Sequence, residues 1–378
     1  MWKVQLFKLN YSEEESKAVK DIVDSGWITM GEKTKEFENR FSKDVVDNAH
    51  CVAVSSCTAA LHIALLSLNL KPEDEVIIPA LTFIADMNVV KIVGAKPILA
   101  DCDSYDNWNV SAKSIEKVIT PNTKAVIIVH FAGYPCEMDD IVKLCKDKNI
   151  ALIEDCAHAP GAKYKGKSVG TFGKFGCFSF FTNKNLSVGE GGMIVSTDEK
   201  AIEEARYIRS HGMSALTLDR HKGRAITYDV VRPGLNYRID EIRSAIGLVQ
   251  LKKLKDANKK REILVKRYIK NLKNYDKVSI PFAYLRSDIE SVYHIFPILL
   301  DKNIDREKVI DRLKKNGIQS SIHYPAFKDF TAFKDYGLNS APIAEDIAKR
   351  ELTLPLYPTM SLEEVDLVCE NLKKSIKE

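Results

Sequence analysis

The sequence predicts an α/β fold, with a large domain built on a mostly parallel sheet and a smaller α/β domain after it. Two observations carry this. Short apolar, β-branched runs alternate with helix-like segments over the first two hundred residues. That alternation builds a parallel sheet with helices on both faces. A long helical stretch over residues 239–272 then divides this series from a second run of strand and helix signals, from residue 278 to the end. The boundary falls inside or beside that stretch, giving a large domain over residues 1–250, with an N-terminal helical segment, and a small domain over residues 251–378.

The elements follow in order. Residues 13–41 read as helix on both sides of a break at Gly26 and Gly31. Residues 52–54 form a short apolar strand and 58–68 a helix rich in alanine and leucine. Strand signals at 75–79 and 96–101 flank a helix at 85–93. Residues 125–130 and 150–154 are buried-strand runs around a helix at 138–149. Two further strands, 176–181 and 192–197, flank a turn that contains Lys184 and a cluster of glycines.

Composition narrows the class. At 378 residues, 45% hydrophobic and 29% charged, the chain is an ordinary globular protein. Its 56 basic and 52 acidic residues nearly cancel, and the lysines are spread along the chain. A nucleic-acid partner calls for clustered basic residues, so none is expected. No apolar run approaches the ~20 residues of a membrane span, and no membrane partner is expected either. The eight cysteines lack the spacing of metal ligands, and several sit in apolar strands. This pattern suits reduced thiols in the cytoplasm.

The chemistry gathers around Lys184. It sits in Ser179-Phe180-Phe181-Thr182-Asn183-Lys184-Asn185-Leu186, followed by Gly189-Glu190-Gly191-Gly192. Twenty-nine residues earlier, the apolar strand 150–154 delivers Asp155 to the carboxyl edge of the sheet, where ligands bind in open α/β folds. An acid at a strand end and a lysine one supersecondary unit later meet the needs of pyridoxal 5′-phosphate (PLP). The lysine forms a Schiff base with the cofactor and the acid pairs with its pyridinium nitrogen. A bare acid at that place is costly unless paired with a cation or hydrogen-bond donors, and a protonated pyridinium meets that need. Phe180, Phe181 and Leu186 offer Lys184 an apolar setting that depresses an amine's pKa. Ser55-Ser56-Cys57-Thr58 stands between a strand and a helix. Small hydroxyl residues there serve either as a plain helix cap or as a phosphate cradle at the helix N-terminus.

These segments resemble the DegT/DnrJ/EryC1/StrS family of sugar aminotransferases, which are fold-type I PLP enzymes. The resemblance runs from about residue 25 to the C-terminal helix. It implies that Ser56, Cys57 and Thr58 hold the PLP phosphate, chiefly through backbone amides and the Thr58 hydroxyl. Many relatives have Asn-Gly where this chain has Ser56-Cys57. Ser179 matches a phosphate-binding serine. Pro79-Ala80-Leu81-Thr82-Phe83 matches the segment whose aromatic, here Phe83, stacks on the pyridine ring. His158 matches a position beside the cofactor's phenolic oxygen. Asp101-Cys102-Asp103 matches a structural element at the site's edge. Some members place histidine at the Lys184 position and act as dehydratases; lysine here favours the aminotransferase branch.

The same resemblance implies the partners. Gly234-Leu235-Asn236-Tyr237-Arg238 matches a segment whose asparagine crosses a dimer interface to the other subunit's phosphate. A homodimer with shared active sites is therefore expected. Ser210-His211-Gly212 matches another segment near the site, and His323 and Tyr324 match landmarks on the substrate side. No metal is expected. The implied reaction moves an amino group from an amino acid, L-glutamate by expectation, to a keto group of a nucleotide-linked deoxysugar. Pyridoxamine 5′-phosphate (PMP) is the form that carries the amino group between them. A keto-cyclitol or small phosphorylated ketone is the alternative acceptor.

Overall fold

The computed structural model describes residues 2–214, 227–283 and 286–377. Two helices come first, α1 (Glu13–Ser25) and α2 (Glu32–Val45). Ser12 caps α1, and Glu15 returns a hydrogen bond to the Ser12 backbone N–H at 2.7 Å. Gly26 ends the helix at φ 71°, a left-handed conformation that glycine adopts without strain.

The alternation predicted from sequence then unfolds. It runs β1 (His50–Val54), α3 (Cys57–Leu66), β2 (Glu75–Pro79), α4 (Ile84–Ile92), β3 (Lys96–Ala100), α5 (Ala112–Glu116), β4 (Thr123–Val129), α6 (Met138–Asp147) and β5 (Ala151–Asp155). Two short strands, β6 (Lys163–Tyr164) and β7 (Lys167–Ser168), precede β8 (Phe175–Ser179), β9 (Gly192–Ser196) and α7 (Glu199–Arg209). The central sheet has seven strands in the order β1-β9-β8-β5-β4-β2-β3. Six run in one direction and β9 runs against them. The apolar runs 76–78 and 125–129 are wholly buried, as a sheet covered on both faces requires.

This topology positions the site. β8 and β9 are antiparallel neighbours, with Ser179 opposite Gly192, so the loop between them lies at the sheet's edge and carries Lys184. β5 lies beside β8 in the middle of the sheet and ends at Asp155. α7 was not anticipated from the sequence. Its signals were present: Asp198 caps it through Lys200 and Ala201, and Ala201, Ile202, Ala205 and Ile208 form its buried face.

The remaining elements are α8 (Glu241–Leu272), β10 (Val278–Ser279), β11 (Ile289–Glu290), β12 (Phe296–Leu300), α9 (Arg306–Lys315), α10 (Pro342–Arg350), β13 (Glu351–Leu354) and α11 (Leu362–Lys377). Asp240 caps α8, which packs along α1, α2 and α11. β10, β12 and β13 make a second, three-stranded sheet. A separate apolar cluster covers it, drawn from Leu264 onward and joined by Val4 from the N-terminal end. Asp101 has the structural place expected of it, accepting hydrogen bonds from the Ile343 and Ala344 amides at the start of α10. Among the described residues, no helix is long and apolar enough to cross a membrane.

Candidate active site

A cavity of about 370 Å³ opens at the carboxyl edge of the central sheet. Ser56, Cys57, Thr58, Phe83, Asp155, His158, Ser179, Lys184, His323 and Tyr324 all line it. Of the site residues expected from sequence, Asn236 alone lies outside it: it is exposed and forms an isolated antiparallel bridge with Ser210.

One wall is the start of α3. Ser56 has extended backbone angles and its hydroxyl accepts from Ala59 N at 3.1 Å, so it caps the helix. The cap and the cradle readings therefore coexist: the side chain caps, and Ser56, Cys57 and Thr58, at the helix start whose first N–H groups have no partner within the helix, line the cavity. Gly192 of β9 passes directly behind this turn. A Cβ there would fall 2.5 Å from the Ser56 carbonyl carbon, so only glycine lets the strand approach so closely.

The floor is set by β5. Successive strand residues point to opposite faces, and Glu154 and Asp155 divide accordingly. Glu154 accepts from the amides of Gly170, Phe172 and Gly173, each at 2.8 Å, and from His130 Nε2 at 3.1 Å. It anchors the loop before β8. His130, Glu154 and Cys156 bring potential metal ligands within 4.8 Å of one another. The Glu154 oxygens are already satisfied, however, and His130 Nδ1 accepts from Cys136 N, so the group reads as a structural network. Asp155 faces the cavity. Its Oδ1 accepts from Ala157 N at 2.8 Å and lies 3.7 Å from the Cys57 thiol. Burial raises its pKa, while the Ala157 amide and the Lys184 charge pull the other way.

Lys184 stands between floor and mouth. Its backbone N–H closes a turn onto Phe181 O at 2.9 Å. Phe180 and Leu186 are fully buried behind it, whereas Phe181 is 43% exposed at the cavity rim. Burial brings the amine down to about 8, against the opposing pull of Asp155. A neutral, nucleophilic fraction is thus present near neutral pH.

The substrate-facing wall is aromatic. His158 Nδ1 accepts from Ala132 N at 3.2 Å, and its Nε2 lies 3.1 Å from the Tyr324 hydroxyl. Burial holds His158 well below its usual range, so the ring is neutral. Phe83, 53% exposed at the cavity mouth, lies 5.6 Å from the Tyr324 ring. His323 is held by the small sheet: its Nδ1 lies 2.8 Å from Thr353 Oγ1, and its backbone N–H donates to Glu351 at 2.7 Å. Burial pushes Glu351 up to about 8 and His323 down to about 3.

A buried amine, a buried acid and a helix N-terminus around one cavity match the parts of PLP: aldehyde, ring nitrogen and phosphate. The family model for DegT/DnrJ/EryC1/StrS aminotransferases matches residues 10–373. The chain belongs to this family. It is a PLP-dependent aminotransferase with the fold-type I architecture. It is 37% identical to the GDP-perosamine synthase of Escherichia coli O157:H7, over 98% of each chain. The Streptococcus pneumoniae protein Spr1654, known in PLP and PMP forms, superposes with a TM-score of 0.91 for the PMP form, at 30% identity over 100% of this chain and 99% of that one. Helicobacter pylori PseC, an aminotransferase of pseudoaminic acid biosynthesis, gives a TM-score of 0.90 at 27% identity, over 100% and 99%.

Sequence reasoning missed several residues at this site. Thr82, Asn183 and Glu190 line the cavity. His294 packs on His158 with ring centroids 4.4 Å apart and bonds to Asn185. Thr82 carried a local signal, a hydroxyl just before the start of α4 and within reach of its first turn. His294 follows no local motif and reaches the site only through the tertiary fold.

Proposed function

We propose that the chain transfers an amino group from L-glutamate to the 4- or 3-keto carbon of a nucleotide-linked deoxysugar, in the making of a surface glycan or related sugar. The observation that carries this reading is the 37% identity with a GDP-perosamine synthase, sustained over 98% of both chains.

When bound, PLP supplies a carbon that accepts the amino group and a ring that takes up electrons released at the donor's α-carbon. The chain does the rest. The N-terminus of α3, with the Ser56 backbone and the Thr58 and Ser179 hydroxyls, would hold the phosphate through amides and the helix dipole. Cys57 contributes its backbone N–H. Asp155 keeps the ring nitrogen protonated. Lys184 would anchor the cofactor, and its Nζ, when free, would take the proton from the donor's α-carbon as a general base. Its depressed pKa, about 8, suits that task. Phe83 would cover one face of the ring and exclude water from it. His158 would sit beside the ring's oxygen substituent, and His323 and Tyr324 would meet the substrate.

We place two such sites at a homodimer interface. The exposure of Asn236, outside the cavity of its own chain, supports a role for Asn236 of the partner subunit at the phosphate. The separate apolar cluster of the second sheet supports a boundary near residue 250, within α8. All eight cysteines are free and buried, in keeping with a cytoplasmic enzyme.

The PMP-loaded protein, mixed with a panel of keto-sugar nucleotides, keto-cyclitols and keto-phosphates, tests the acceptor in a single turnover. The PLP absorption should return only with nucleotide-linked keto-sugars, with the amino sugar detected by mass spectrometry. Return with a cyclitol or phosphorylated ketone, and none with any nucleotide sugar, contradicts the proposal.

A further inference from the structure

Beneath Asp155 lies a second acid. Asp86, in the first turn of α4, is fully buried. Thr82 Oγ1 donates to its Oδ2 at 2.6 Å. Its Oδ1 is buried and has no hydrogen-bond partner among the groups that can donate to an ionised carboxylate. The Asp86 carboxyl lies within hydrogen-bonding reach of the Asp155 carboxyl. Ionised carboxylates only accept. Two of them in contact would repel each other and leave Oδ1 orphaned, where desolvation costs most. One proton on Asp86 removes both problems, because the group then has a donor aimed at Asp155.

The surrounding charges point the same way. The titratable groups that sense this pair are Lys184, His130, the Cys57 thiol from α3, the Cys177 thiol from β8, the Cys156 thiol next to Asp155 and the Tyr324 phenol. Burial pushes all three thiols and the phenol up, so they are neutral at physiological pH. His130 is already bonded to Glu154. Lys184 then offers one positive charge, which offsets one carboxylate and leaves no cation for a second.

We propose that Asp86 carries a proton and donates it in a hydrogen bond to Asp155, so that the acid beneath the cofactor is a two-carboxyl unit with a single negative charge. Asp86 is a positioning residue that acts on the ring through Asp155. Its donated bond favours the ionised form of Asp155 against burial, and the unit's single charge matches that of one pyridinium. The inference rests on Asp155 being the acid that faces the ring nitrogen.

Infrared difference spectroscopy of the PLP-loaded protein, wild type minus Asp86→Asn, reads this proton near neutral pH. The wild type should show the carbonyl stretch of a protonated carboxyl group, shifted in deuterium oxide and missing from the variant. Absence of that band overturns the proposal. The PLP-free protein should show it too. A wrong assignment of Asp155 is seen instead as unchanged cofactor absorption and donor half-reaction in Asp155→Asn, with the band still in place. The pH dependence of PLP affinity tests the donated bond. Asp86→Ala should move the acid limb of binding up by about one pH unit, weakening PLP about tenfold on that limb. Asp86→Asn, whose amide N–H replaces the donor, should recover most of that loss. Both variants remove the acid, so an Asn variant as weak as the Ala variant also overturns the proposal. If Asp86→Ala does not fold, the infrared band and the Asn variant measured against wild type still decide.

Discussion

The Tyr324 hydroxyl lies 3.1 Å from His158 Nε2, and the direction of that hydrogen bond is fixed from the far side of the imidazole. Ala132 N donates to His158 Nδ1. A neutral imidazole that accepts at Nδ1 carries its proton on Nε2, and burial keeps this ring neutral. Nε2 therefore donates to Tyr324, and the phenol's own proton is free to point into the cavity. A chain from a backbone amide through His158 to Tyr324 thus presents one oriented donor to whatever binds beside Phe83.

Tyr324→Phe removes that donor and strands the His158 N–H. An unsatisfied buried donor costs about 1–3 kcal/mol, so the melting temperature of the PLP-loaded protein should fall. Turnover should drop about 10- to 100-fold if the lost hydrogen bond forms in the transition state. Unchanged stability and turnover would mean that Nε2 has another acceptor.

Lys184 makes the PLP-free protein sensitive to pH. Burial lowers its folded-state pKa from 10.5 to about 8. Between those values the unfolded chain binds the extra proton, so stability rises with pH there, and the penalty for burying the charge is fully present below pH 8. The rise approaches about 1.4 kcal/mol per pH unit for one proton. Denaturant unfolding at a series of pH values should show it as the difference between the wild type and Lys184→Met, because the buried thiols, whose pKa values burial raises, lower the stability of both proteins alike as pH climbs through the thiol range. An equal slope in both proteins would place the amine in solvent.

Asp155→Asn keeps the shape of the cavity floor and removes its charge. PLP should remain bound through its phosphate, while the donor half-reaction, followed by absorbance in a stopped-flow instrument, slows by orders of magnitude, on the scale of several kcal/mol. Near-normal turnover would assign the ring nitrogen to another acid.

Much of this site was legible because its parts are local. Lys184 and its glycines fill one hairpin loop, Asp155 ends one strand, and Ser56–Thr58 start one helix. Each motif carries its own geometry. What was not legible arises from contacts far apart in sequence. Asp86 of α4 meets Asp155 at the end of β5 only through the tertiary fold, and an aspartate in a helix's first turn otherwise reads as a complement to the dipole. Glu351 and Thr353 reach His323 through the pairing of the small sheet. The reversed strand β9 was hidden for a related reason, since an apolar run bears no mark of its direction.

Asn236 tests the shared site. Asn236→Ala should weaken PLP retention by roughly 1.5–3 kcal/mol, the scale of one hydrogen bond to a charged group. Mixed with inactive Lys184→Ala, it should regain activity as subunits exchange, because a mixed dimer concentrates both defects in one site and leaves the other whole. The gain depends on how far the Asn236→Ala homodimer is impaired. Demonstrated exchange without recovery would remove the crossing of the interface from the account.

The central claim is that Lys184 is the anchor of the cofactor, and borohydride reduction tests it most directly. PLP-loaded protein should be yellow, with a band that Lys184→Ala lacks. After reduction, digestion and mass spectrometry, the phosphopyridoxyl group should sit on Lys184. The same label on any other lysine, or an undiminished yellow band in a folded Lys184→Ala protein, would contradict the account.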